Sequence, residues 1–184
     1  MRTLALTQNT TLDARAEMLG GWFAAQGQNR AVVVENRRQR EESDALLVGR
    51  RTFEDLRGYW RDLADDATGV SDHLNGVAKF VVSSTMDEPD WAGTTVLRGD
   101  VLEEVRALKA ADGADIVCTG SVTLSHALLE AGLVDELRLF TYPVVQGAGR
   151  PLFPDGWSLE DAALVEARDL DGVLLQRWQP ASGG

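Results

Sequence analysis

The sequence predicts a single-domain α/β fold, a three-layer mixed β-sheet with helices on both faces and a C-terminal antiparallel hairpin. Two observations carry this. Apolar runs of strand length alternate with segments of helical spacing through the first two thirds, and the last third is strand-rich with turn residues between the runs. A chain of 184 residues, 44 % hydrophobic and without internal repeat or linker, suits one core, so one domain is expected over 1–179 and a disordered tail over 180–184.

Thr3–Thr7 reads as the first strand. Leu12, Ala16, Leu19 and Phe23 then recur at helical spacing, interrupted by Gly20-Gly21, which predicts a loop and an irregular helix. The charged stretch Glu35–Glu42 suits a solvated helix, and the run Ala45–Gly49 a buried strand. Helices follow over Arg51–Gly58 and Ser71–Gly76, then strands over Lys79–Ser83 and Thr94–Leu97. Leu102, Val105 and Leu108 mark one helix face, Ala114–Thr119 a strand and Ser121–Ala131 a helix. Asp135–Val145 and Ala163–Gln179 are strand-rich, with Asp171-Gly172 as the turn of a closing hairpin.

Composition narrows the function classes. A formal charge of −11 with no basic stripe argues against a nucleic-acid partner. No run of eighteen apolar residues predicts a membrane span, and the start of the chain is too soon polar for a signal peptide, so a cytoplasmic protein is expected. Cys118, the one cysteine, excludes an intramolecular disulfide and reads as a buried apolar residue. Two histidines give a metal site or a Ser/His/Asp triad little material, and no metal is expected. His126 reads as a surface or packed residue and His73 as solvent-facing, while Asp62, Asp65 and Asp66 read as a solvated loop.

An anionic ligand must therefore be held by a local site. Gly49-Arg50-Arg51-Thr52 follows a buried strand and opens a helix, so free N–H groups, a positive dipole end and two guanidinium groups meet in one turn. On the local pattern alone it reads equally as a strand-to-helix turn with two solvated arginines. Gly120-Ser121-Val122-Thr123 has the same design and suits a pyrophosphate, with an ordinary capped helix as the alternative. Ser83 and Ser84 fall at the carboxyl end of another strand, where they hold a ligand's adenosine part or simply form a polar turn. Asp13 is the best-placed acid to orient a polar substrate or relay a proton, with a helix N-cap as the structural reading. Trp22 can stack on a planar ligand or belong to the core, and Gln146 lies in a Gly-rich turn lining the pocket.

In this order, Leu47-Val48-Gly49-Arg50-Arg51-Thr52-Phe53-Glu54, Trp60, Lys79-Phe80-Val81-Val82-Ser83-Ser84, Gly120-Ser121, Gly132-Leu133-Val134-Asp135-Glu136-Leu137 and Pro143-Val144-Val145-Gln146-Gly147-Ala148-Gly149-Arg150-Pro151-Leu152-Phe153 resemble the dihydrofolate-reductase-like superfamily. The likeness is to stand-alone relatives of the bacterial-type riboflavin-biosynthesis reductase (RibD C-terminal) domain, and it covers Thr3 to Trp178. It implies NADPH across the carboxyl ends of the strands. Arg50, Arg51 and Thr52 would lie near the 2′-phosphate, Ser83 and Ser84 beside the adenosine, and Gly120, Ser121, Val122 and Thr123 at the pyrophosphate. It also implies a homodimer and a reductase resembling 5-amino-6-(5-phosphoribosylamino)uracil reductase or dihydrofolate reductase, acting on a small heterocyclic or carbonyl substrate. A non-catalytic dinucleotide-binding module of the same fold is the alternative, and a scaffold without cofactor a third. The Leu-Pro-Trp segment and pterin-reading acid of dihydrofolate reductase are missing, as are the His-x-Glu and Pro-Cys-x-x-Cys of a zinc deaminase. Where relatives carry Leu-Asp-Gly, this chain has Leu12-Asp13-Ala14, so a different turn is expected there.

Overall fold

Four consecutive apolar residues, Ala45–Val48, are all buried because both faces of their strand are covered. Ala45 and Leu47 pack into one hydrophobic cluster and Leu46 and Val48 into another. The computed structural model describes residues 1–25 and 27–180.

The elements run β1 (Leu4–Thr11), α1 (Arg30–Glu41), β2 (Ser43–Gly49), α2 (Arg50–Trp60), α3 (Val70–Gly76), β3 (Ala78–Val82), β4 (Thr94–Leu97), α4 (Val101–Ala110), β5 (Asp115–Thr119), α5 (Val122–Glu130), β6 (Glu136–Tyr142), β7 (Ala162–Leu170) and β8 (Val173–Pro180). One sheet of order β4-β3-β2-β5-β1-β6-β8-β7 contains all eight strands. The first six strands of that order are parallel, joined by five pairings, and β8 runs antiparallel to both β6 and β7. Val105 of α4 and Leu128 of α5 cover one face with Leu4, Leu6 and Ile116. On the other face, Phe53 and Trp60 of α2 and Leu74 of α3 meet Leu46, Val48 and Val81, while Val32 of α1 meets Phe140 and Leu175. This is the predicted three-layer mixed sheet. Its hairpin turns at Asp171-Gly172, where both residues take positive φ, 53° and 93°, as a two-residue primed turn requires.

Several local expectations change. β1 runs to Thr11, four residues beyond its predicted end, because β6 pairs with it along Ala5–Thr11. No helix forms through Leu12, Ala16, Leu19 and Phe23. Ala16 is buried, but Leu12 and Leu19 are exposed, so their spacing does not mark one packed face. The helix expected over Glu35–Glu42 begins earlier, at Arg30, where the Asn29 side chain accepts from the Val32 N–H. Nor is it solvated throughout, since Glu35 is 2 % exposed and is held by Arg38, Gln39 and Arg168. In the turn Leu12-Asp13-Ala14, Ala14 takes φ 53° in the left-handed region. Cys118 is fully buried, and burial pushes its thiol up to about 12. Of the tail expected over 180–184, Pro180 ends β8, and 181–184 lie outside the described residues. Among the described residues no helix is long and apolar enough to cross a membrane.

Candidate functional site

β3, β2, β5 and β1 are adjacent and parallel, so their carboxyl ends form one edge. At about 4.8 Å per strand that edge spans roughly 14 Å. The predicted anion turns lie side by side on it, because β2 leads into α2 and β5 into α5. Neither Gly49 nor Ser121, the two N-cap residues, caps its helix with a side chain. The first N–H groups of both helices therefore stay available to an anion, each beside a positive dipole end.

Two hydrogen bonds tie the turns together. The Gly49 N–H donates to Ser121 Oγ at 2.9 Å, and the Ser121 N–H donates to Thr52 Oγ1 at 2.9 Å. Both hydroxyl groups act as acceptors in this latch, which leaves their O–H groups free to donate to a ligand. Gly120 takes φ +57°, and a Cβ there would lie 2.9 Å from Thr52 Cγ2, so the close approach requires glycine. From below, Gln8 Nε2 donates to the Gly120 carbonyl at 2.6 Å and to Ser125 Oγ at 3.1 Å.

Arg50 and Arg51 are exposed at the start of α2, and Arg50 reaches Glu54 at 3.5 Å. Ser84 is exposed at the end of β3. Ser83 is buried and turns inward, where its Oγ accepts from the N–H groups of Thr85 and Met86. Val122 and Thr123 form the first turn of α5, and Arg150 approaches Thr123 Oγ1 at 3.4 Å. The sequence reading missed both Gln8 and Arg150. Arg150 stands in a turn far along the chain, and only the Gly-rich stretch before it signals that the backbone folds back there.

Asp13, Trp22 and Gln146 also come together, at the ends of β1 and β6, but they hold one another. Asp13 accepts from Thr11 Oγ1 at 2.6 Å and from the N–H groups of Gln146 and Gly147 at 3.1 and 2.8 Å. These bonds, the Thr11 hydroxyl first, hold its carboxyl well below the usual carboxylate range. Asp13 thus fastens the Gln146–Gly147 turn through its carboxylate, and it caps no helix. Gln146 spends its whole carboxamide on the loop. Its Oε1 accepts from the Leu19 N–H and Trp22 Nε1, and its Nε2 donates to the carbonyls of Glu17 and Ala148. Trp22 packs on Phe23 and Tyr142.

A cleft of about 190 Å³ opens on the face covered by α1, α2 and α3. Thr7, Val117 and Thr119 form its floor, and Gln39, Arg40 and His73 stand among its walls. Thr119 directly precedes Gly120, so the cleft adjoins the latched turns. His73 is half-buried rather than solvent-facing, because α3 packs inward. Burial, then the charges of Arg40 and Lys79, push it down to about 4. His126 is partly buried and lies 3.1 Å from the Pro151 carbonyl. Asp66 accepts from Thr68 and from the Ser71 N–H, and no acidic or His/Cys group suited to a metal occurs among the described residues.

Parallel strands ending in two uncapped helices, with an antiparallel hairpin at the far edge, make a fold that this chain shares with solved structures. The chain belongs to the RibD C-terminal domain family, whose model matches residues 2–174. It is 33 % identical over 136 residues to YyaP, an uncharacterised protein of Bacillus subtilis (strain 168), a match covering 72 % of this chain and 71 % of that one. A Shewanella sp. PV-4 protein named for riboflavin biosynthesis shares the fold with a TM-score of 0.72 at 19 % identity, over 97 % of this chain and 98 % of that one. A pyrimidine reductase-like protein of Corynebacterium diphtheriae does so with a TM-score of 0.71 at 14 % identity, over 98 % and 92 %.

Proposed function

We propose that this protein is a cytoplasmic NADPH-dependent reductase acting on a small heterocyclic or carbonyl substrate. The observation that carries the reading is the pair of uncapped helix starts on adjacent strands, latched through Thr52 and Ser121. Family membership agrees with it.

The residues fit a phosphorylated dinucleotide along the carboxyl edge. Arg50 and Arg51 are the charge partners for a 2′-phosphate, and the exposed Ser84 lies on the adenosine side. Gly120 allows the backbone to approach a pyrophosphate, which the N–H groups of Val122 and Thr123 and the Ser121 hydroxyl then bind. When bound, the reduced nicotinamide supplies a hydride, so this chain has to bind, orient and exclude water rather than provide a nucleophile. Gln8 fixes the pyrophosphate turn from below, and Asp13 positions the Gln146–Gly147 turn at the end of β1.

The reading is tested by Arg50→Ala and Arg51→Ala. A charge-assisted contact to one phosphate is worth about 1.5–3 kcal/mol, and exposure at the helix start brings the expected loss to the low end, about tenfold in NADPH affinity with NADH little changed. Equal losses for both nucleotides would remove the 2′-phosphate assignment. The homodimer implied by the family is also proposed. Leu164 and Val165, 52 % and 49 % exposed on the edge strand β7, are the apolar surface that a second copy would cover. Sedimentation should give a dimer that Leu164→Asp converts to monomer, and a monomeric parent protein would refute it.

A further inference from the structure

Arg40 is a half-buried cation that no carboxylate contacts directly, although Asp66 and Glu41 act on it from further away. It lines the cleft under α1, α2 and α3, its Nη2 donates to the Thr68 carbonyl at 2.8 Å, and among the described residues it forms no ion pair. Asp66 already accepts from Thr68 and Ser71. Burial, and then the like charge of Arg37, lowers the Arg40 guanidinium from its ordinary value.

Two further polar atoms in the same cleft lack partners. Gln39 is 4 % exposed, and its Nε2 donates to Glu35 while its Oε1 accepts nothing. Thr7 Oγ1 on the floor is likewise buried and unpaired. A buried acceptor left unmade costs about 1–3 kcal/mol, so a ligand that supplies the missing donors is stabilised by that amount. Leu46, Leu56, Val70 and Leu74 give the wall an apolar part beside the polar Asn36 and Ser43, and a cavity of about 150 Å³ suffices for a benzene-sized ring. About 190 Å³ therefore encloses one ring and a small planar substituent.

We propose that this cleft recognises a single-ring carboxylic acid, with Arg40 pairing with the carboxylate and a ring N–H or O–H reaching Gln39 Oε1 or Thr7 Oγ1. His73, neutral at pH 7, stands beside Arg40 as a further hydrogen-bonding group that adds no competing charge. The cleft adjoins the turn at Gly120, so calling its occupant the substrate rests on the reductase reading, whereas its chemistry does not.

The probe is pyrrole-2-carboxylate, a flat ring acid with one N–H, set against its neutral isostere pyrrole-2-carboxamide. Each is titrated into the full-length protein without nucleotide and followed by amide chemical shifts. The acid is expected to bind at least tenfold more tightly, with shifts at His73 and Thr119. Arg40→Gln should abolish the preference, and Gln39→Leu should weaken both compounds. Equal binding of acid and amide, no saturable binding of the acid, shifts mapping elsewhere, or a preference that survives Arg40→Gln would overturn the proposal. The acid–amide comparison on the unaltered protein decides the matter even if Arg40→Gln does not fold. NADPH binding without acid preference sinks this inference alone, and acid preference without NADPH binding sinks the reductase reading alone.

Discussion

Replacing Gly120 with alanine should act through Thr52. At φ +57° an L-residue in the left-handed region costs about 1–2 kcal/mol. The added methyl would stand 2.9 Å from Thr52 Cγ2 and 3.3 Å from Thr52 Oγ1, the atom that accepts the Ser121 N–H. Forcing that contact adds about 1–2 kcal/mol of overpacking, so the total loss is about 2–4 kcal/mol. Thr52→Ser removes Cγ2 but keeps Oγ, and in that background Gly120→Ala should cost only the backbone part, about 1–2 kcal/mol. Urea unfolding of all four proteins, with unchanged slopes, measures the coupling. A cost of Gly120→Ala below about 0.5 kcal/mol, or the same cost in both backgrounds, would refute the close-approach argument.

Ala14 gives the opposite sign. Its φ of 53° is strained for alanine, so Ala14→Gly should stabilise the protein by about 0.5–1 kcal/mol, once the extra freedom of glycine in the unfolded chain is counted. A loss of stability would show that the methyl is needed there. His73 sets an acid dependence. Its folded value of about 4 lies below the unfolded 6.5, so between those values the unfolded chain binds more protons and stability falls as pH is lowered from about 6.5 towards 4. His73→Gln should flatten that slope in urea midpoints measured across the window, and an unchanged slope would place the titration elsewhere.

Most of the fold was legible because strand and helix periodicities differ, and because Ala45–Val48 could be buried on both sides only inside a covered parallel sheet. The Gly-Arg-Arg-Thr and Gly-Ser-Val-Thr turns were legible for a related reason, since each joins a strand end to a helix start. Their latch was not. Thr52 and Ser121 are 69 residues apart, and no local pattern states that the hydroxyl of one turn meets the backbone of the other. The same holds for Asp13 and Gln146, whose bond across 133 residues fastens the loop. Arg40 was hidden among Arg37 and Arg38 in a charged helix, and only packing decides which of them turns into the cleft. The irregular helix through Leu12–Phe23 was read from spacing that the loop uses for unrelated contacts.

Calorimetric titration of the purified protein with NADPH and with NADH, checked by tryptophan fluorescence, tests the central claim most directly. Saturable binding of NADPH at least tenfold tighter than NADH is the predicted result. Binding of neither nucleotide, or equal binding of both, would contradict it.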